Sequence, residues 1–209
     1  LLPRMQESLG FGNIEAGVIP SLYYLVYTAF APVVGALSDR TGKERLLTFL
    51  LAVSAISLIG MGFVSSWQLL ALLFAVVGLG SEAGWTVLFP VISDWFPSNR
   101  VGSAMGVASM GYGLGYGVLG ILLPPLVGVA GWQSAWVCLG VATLIITMFV
   151  GLSLKAPPHL SQSDHRTRGS VIEAKRSRLS GPFWLIGGSY FLWSFGILVP
   201  LTFLVSYQT

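Results

Sequence analysis

Charge is what this sequence lacks. Only 9% of its 209 residues are charged, where a soluble domain needs roughly a quarter to cover its surface. The deficit is uneven, with no charge between Arg45 and Glu82 and none between Arg100 and Lys155. A bilayer crossing takes about 20 predominantly apolar residues, so the first interval holds more than one crossing and the second holds two. Cysteine is nearly absent too. Cys138 stands alone in an apolar run, which excludes a disulfide framework and a thiolate cluster and leaves the redox compartment open. No signal peptide is visible. The chain opens on Leu1-Leu2-Pro3 and stops at Thr209, and both ends read as truncations.

What is present is apolar: 54% of the residues are hydrophobic and the mean hydropathy is +0.78. Six apolar segments stand out, at about 17–37, 46–65, 68–92, 103–126, 133–153 and 182–206. Leu1 to Pro3 reads as the tail of an earlier span. Short turn-like breaks at Ser38 to Arg45, Ser65-Ser66, Asp94 to Arg100 and Gly128 to Gly131 make neighbouring spans antiparallel hairpins. Barrel strands are about ten residues long and alternate polar with apolar. These runs are longer and continuously apolar, as helices that pair their own backbone in lipid must be.

Basic residues set the orientation. Counting turns alternately, all of them except Arg4 fall on one side, in loops 38–45, 94–101 and 155–181, which are therefore cytoplasmic. Trp67, Trp95, Trp132 and Trp184 lie near span ends, as interfacial belts require. The stretch 155–181 carries Pro157-Pro158 and most of the basic residues, and reads as a linker with a short interfacial helix around Val171 to Leu179. Juxtamembrane basic clusters ordinarily meet anionic lipid rather than nucleic acid.

The first cytoplasmic turn reads Gly35-Ala36-Leu37-Ser38-Asp39-Arg40-Thr41-Gly42-Lys43-Glu44-Arg45. It resembles the loop signature of the major facilitator superfamily, G-x-x-x-D-R-x-G-R/K-R/K. Gly35, Asp39, Arg40, Gly42 and Lys43 match in register, and Glu44 departs at the last basic position. Gly35 would let two helices approach, Asp39 could face a neighbouring helix N-terminus, and Gly42 permits the tight turn. By the resemblance this loop bridges the two halves of the fold in one conformation, with Asp39 and Lys43 in a gating network and Asp94 as a third member. Asp94-Trp95-Phe96-Pro97, followed by Arg100 and by Gly102, Ala104, Met105 and Gly106, is similar to the turn between helices 4 and 5 of such transporters. Gly131-Trp132-Gln133-Ser134-Ala135-Trp136 is similar to the start of helix 6. The resemblance is closest to the monocarboxylate and oxalate/formate branches. The arginine before a glycine cluster in helix 4 and the Gly-Pro pair in helix 5, frequent in drug-exporting members, have no counterpart here.

The resemblance implies an all-α membrane protein: residues 1–154 as an N-terminal six-helix bundle with its first helix mostly missing, 155–181 as a cytoplasmic linker, and 182–209 as the first helix of a C-terminal bundle. The full fold would have twelve helices, with the cavity lined mainly by helices 1, 4, 7 and 10. The missing C-terminal bundle would complete it, in the cell membrane.

Glu82 is the only charged side chain well inside a span. Intramembrane ionisable residues mark ion pathways by default, so Glu82 reads as a proton-coupling or substrate-contacting group; the plainer reading is a neutral carboxyl bonded to a neighbouring helix. At helical spacing, Gly78, Trp85, Thr86 and Phe89 share its face. Trp85 would wall a cavity or simply pack, and Tyr190 and Trp193 read as packing. Gly106, Gly113, Gly117, Gly120 and Pro124 lie on one face of the 103–126 span, a surface for close helix packing in lipid. Gly115-x-Gly117-x-x-Gly120 spells a dinucleotide fingerprint but follows no strand.

These features imply a proton-coupled secondary transporter of a small organic anion, such as a monocarboxylate, working by alternating access. The alternative is a non-transporting sensor on the same scaffold. An ion channel would need a polar pore stripe that is missing. Enzymatic motifs such as H-E-x-x-H and G-x-S-x-G are absent, His159 and His165 read as solvated linker histidines, and no cofactor is implied.

Overall fold

The computed structural model describes residues 2–154, and among them every regular element is a helix. The linker 155–181 and the segment 182–206, with Tyr190 and Trp193, lie outside the described residues.

A short helix α1, Leu2–Leu9, ends at Gly10, whose φ of +66° suits only glycine without strain. The Gly12 amide donates to Glu15 Oε2 at 2.9 Å and starts α2, Asn13–Thr41. Gly42, at φ +91°, is the whole of the turn into α3, Lys43–Met61. Helices thus run further into the expected turn than its polar residues suggest, because the backbone stays paired as long as it remains helical. Ser66 caps α4, Trp67–Glu82. A π-helical turn, Ala83–Val87, leads into α5, Leu88–Trp95, with the Leu88 amide donating to the Ala83 carbonyl. Pro90 accounts for this wide turn: it has no N–H for the Thr86 carbonyl and its ring would collide with that group in an unbroken α-helix.

The last element, α6, Val101–Ser153, has 53 residues, about 80 Å at the α-helical rise and far more than the roughly 30 Å of a hydrocarbon core. It breaks at Gly131, where φ 81° and ψ 166° are not helical, so 101–130 and 132–153 are separate crossings. Among the described residues four helices are long and apolar enough to span a membrane, and the last, divided at Gly131, counts as two crossings, five in all.

Close approaches fix the packing order. Gly60 meets Leu73 and Gly80 meets Leu50 and Ser54, so α3 and α4 are antiparallel. Gly62 meets Gln133, Gly140 meets Ile59 and Gly151 meets Thr48, which sets 132–153 antiparallel to α3. Gly78 meets Tyr23 and Gly35 meets Thr86, so α2 and α4 run parallel.

Apolar burial divides into two clusters. One, at the α1 end, gathers Met5, Ile19, Met61, Leu70, Val127 and Trp132. The other, at the Lys43 end, gathers Val34, Leu46, Leu47, Leu50, Val87 and Val91. At the α1 end, Arg4 Nη1 donates to the Val127 carbonyl at 2.7 Å and Trp132 Nε1 donates to Ser8 Oγ at 2.8 Å. These two bonds tie α1 to the break at Gly131.

Candidate functional site

Glu82 ends α4 with 0% of its surface exposed. Thr86 Oγ1 donates to its Oε2, while Oε1 has no hydrogen-bond partner among the described residues. A buried carboxyl oxygen without a partner carries its full desolvation cost, so the position is expensive to maintain.

The π turn divides the face that simple helical spacing assigns to Glu82. Gly78 and Thr86 remain with it: a Cβ on Gly78 would lie 2.5 Å from the Tyr23 carbonyl oxygen, and Thr86 faces Gly35. Glu82 lies between these two contacts, on the side α4 turns to α2. Trp85 and Phe89 leave that face. Trp85 is 41% exposed, its ring stacked on Phe89 with centroids 5.2 Å apart and meeting the Tyr112 ring at 5.6 Å, 72° between planes.

Sequence reasoning missed the tyrosines around these groups. On α2, Tyr23 meets Tyr24 edge-on at 5.0 Å and stacks on Tyr27 at 6.2 Å. On 101–130, the rings of Tyr112 and Tyr116 are 4.9 Å apart and their hydroxyls 3.1 Å apart. Tyr116 lies near Tyr23 and Tyr24, so the two helices bring phenols to one region. The signal was available: Tyr23/Tyr27 and Tyr112/Tyr116 are i, i+4 pairs inside otherwise apolar spans, where interfacial tyrosines do not belong.

At the Lys43 end, Lys43 Nζ donates to Asp94 Oδ2 at 2.5 Å, joining the first residue of α3 to the last turn of α5. Each charge sits at the unfavourable end of its own helix dipole, so each compensates the other. The remaining signature residues stand apart. Asp39 and Arg40 are exposed and bond to no other described residue. Among the described residues Asp39 meets no helix N-terminus: α2 continues past it to Thr41 and leaves it exposed. A Cβ on Gly35 would rest 3.8 Å from Thr86, ordinary contact, so the helices are not drawn unusually close there.

The glycines divide in the same way. A Cβ on Gly106, Gly113, Gly117 or Gly120 would meet nothing within 4 Å among the described residues. Gly62, Gly78, Gly80 and Gly140, of which only Gly78 was singled out by sequence, are where helices touch. No three His, Cys, Asp or Glu side chains gather as a metal site among the described residues.

Comparison with known proteins agrees with this architecture. The sequence profile described as Major Facilitator Superfamily matches residues 1–209. The "Probable sulfoacetate transporter" of Cupriavidus necator is 26% identical over 98% of this chain and 51% of its own length. An "Uncharacterized 38 kDa protein" of Thermoproteus tenax is 27% identical over 99% of this chain and 51% of its own length. The "Galacturonate transporter" of Dickeya chrysanthemi is 29% identical over 68% of this chain and 41% of its own length. The chain thus spans about half the length, or less, of these curated relatives. Five apolar crossings, the Gly35–Lys43 signature and a profile match over the whole sequence make this chain a member of the major facilitator superfamily.

Proposed function

We propose that the full-length protein is a secondary active transporter that couples proton movement to a small organic anion by alternating access. The observation that carries this reading is Glu82: a carboxyl at mid-span, wholly buried, with one oxygen unpartnered among the described residues. Such a group is retained at a cost, and uptake of a proton removes the charge that burial penalises. The relatives' printed names supply the substrate class, since sulfoacetate and galacturonate are both anions at neutral pH. No Lys or Arg lies in the apolar segments 17–37, 46–65, 68–92, 103–126 or 133–153, so the anionic group itself would be met by residues outside them.

The Lys43–Asp94 pair suits a latch. Its members offset each other's unfavourable helix ends, and its parting would release α5 from α3 at one end only. In this reading Asp39 and Arg40, free of partners within the described residues, belong with Lys43 and Asp94 to a gating network, 155–181 is a cytoplasmic linker, and 182–209 is the first helix of a C-terminal bundle. The Lys43 end faces the cytoplasm and the protein resides in the cell membrane as a symporter. The Gly106–Gly120 face is a smooth surface for another helix to pack or slide on.

The test uses the full-length protein in proteoliposomes with an internal pH dye, as small carboxylates, sugars and amino acids are added outside. One solute is expected to drive proton movement in the wild type and to lose that coupling in Glu82→Gln. Equal proton flux in the variant would make Glu82 structural. Flux in neither protein would favour a sensor on this scaffold.

A further inference from the structure

The rings of Trp85 and Tyr112 are at the wrong depth for an interfacial belt. Trp85 lies ten residues before Trp95, and Tyr112 lies eleven after Val101. At the α-helical rise each is about 15 Å from the turn joining α5 to α6, half the thickness of a hydrocarbon core. Both are exposed within the described bundle, as is Tyr116. A hydroxyl facing lipid tails has no partner and costs free energy. The Tyr112 and Tyr116 hydroxyls lie 3.1 Å apart, so one donates to the other, and the hydrogen of the accepting hydroxyl is left for water or a polar ligand on this face.

Geometry narrows what that ligand is. Phe89, Trp85, Tyr112 and Tyr116 form a continuous ladder of rings, each in contact with the next. Phe89 backs Trp85 nearly parallel, 17° between planes, and the Tyr hydroxyls stand at the other end. The ladder offers flat ring surface followed by paired donors and acceptors, and no cation. The face of Trp85 not covered by Phe89 complements the apolar face of a saturated ring, and the phenols complement the hydroxyls on its rim. A chain-like anion would gain only the second of these contacts. The relatives' names include both kinds of solute, acyclic in sulfoacetate and a sugar acid in galacturonate, and so do not decide between them.

We infer that the ladder Phe89–Trp85–Tyr112–Tyr116 reads the uncharged body of the solute, and that the solute is a hydroxyl-bearing ring of the sugar-acid type. This rests on the transport reading above. Trp85 supplies the stacking surface, Tyr112 and Tyr116 the hydrogen bonds, and the anionic group is met elsewhere.

The test is uptake by the full-length protein in proteoliposomes under an inward proton gradient, with labelled galacturonate and glucuronate as ring probes, sulfoacetate as the acyclic anion and choline as the cation. Ring acids are expected to accumulate. Trp85→Ala is expected to raise KM for them about tenfold, the loss of one stacking contact, and Trp85→Phe, which keeps an aromatic face, is expected to recover most of that loss. The paired change Tyr112→Phe with Tyr116→Phe is expected to raise KM several-fold with little effect on kcat. Uptake of sulfoacetate with exclusion of both ring acids would overturn the inference and leave transport standing. Preference for choline would overturn it together with the anion class. An equal loss for ring and acyclic probes in Trp85→Ala, with a lowered melting temperature, would make the ladder mere packing against other helices. Uptake of none of the probes would overturn this inference and the anion-transport reading together.

Discussion

Glycine serves two regions of this bundle differently, with five glycines in α3, α4 and 132–153 and eight in 101–130. In α3, α4 and 132–153, Gly80 and Gly140 stand at helix contacts with no room for a side chain: a Cβ on Gly140 would come within 2.6 Å of the Ile59 amide nitrogen and 2.9 Å of the Ala55 carbonyl oxygen. In 101–130, glycines at comparable spacing meet nothing within 4 Å among the described residues. Small residues permit close packing in lipid, but permission is not contact. Spacing shows which residues share a face; only the neighbouring helix decides whether that face is covered.

The largest expected effect lies at the tight contact. Gly140→Val should cost about 3 kcal/mol, because a branched side chain forced against backbone on α3 must push the helices apart. Thermal unfolding of the purified full-length protein in detergent would show it, with Gly117→Ala as the comparator. That second change should shift stability by less than about 0.5 kcal/mol. Equal losses in the two variants would break the comparison and show that the open face is covered in the full protein.

A smaller effect is expected where α5 is tied to α3. Asp94→Ala should cost about 2 kcal/mol, since it strands Lys43 beside the start of its own helix. Exchanging the two residues, Lys43→Asp with Asp94→Lys, should recover part of that loss in a double-mutant cycle and places each charge at its favourable helix end. No recovery would mean the pair is incidental. A smaller loss than at Asp94 is expected beside the break at Gly131. Ser8→Ala removes the acceptor of Trp132 Nε1 and should cost about 1 kcal/mol. A near-UV circular dichroism change at Trp132 without a matching loss of helix would sharpen the view that 101–130 is anchored at its ends rather than along its length.

Much of the fold was legible in advance. The uncharged intervals located the crossings, and the 53-residue helix broke within the expected Gly128–Gly131 turn, at Gly131. The site was legible only in part. Glu82 was conspicuous because a lone charge in an apolar span has few explanations. Its surroundings were not, because the face assigned to it assumed an unbroken α-helix, and the π turn before Pro90 kept Thr86 and sent Trp85 and Phe89 elsewhere. The tyrosines of α2 and 101–130 are nearly ninety residues apart in sequence, and no local pattern could join them.

The sequence by itself determined that this is a multi-pass helical membrane protein of the major facilitator superfamily. Lipid offers no partner to a free peptide group, so apolar length translates directly into helix. The tertiary structure alone decided which of several equivalent residues carry the contacts: Gly140 rather than Gly117, Asp94 rather than Asp39 as the partner of Lys43, and Trp85 beside Tyr112 rather than beside Glu82. Those choices depend on how helices distant in sequence meet, and on a single widened turn that rotates one side chain out of the core and another into it.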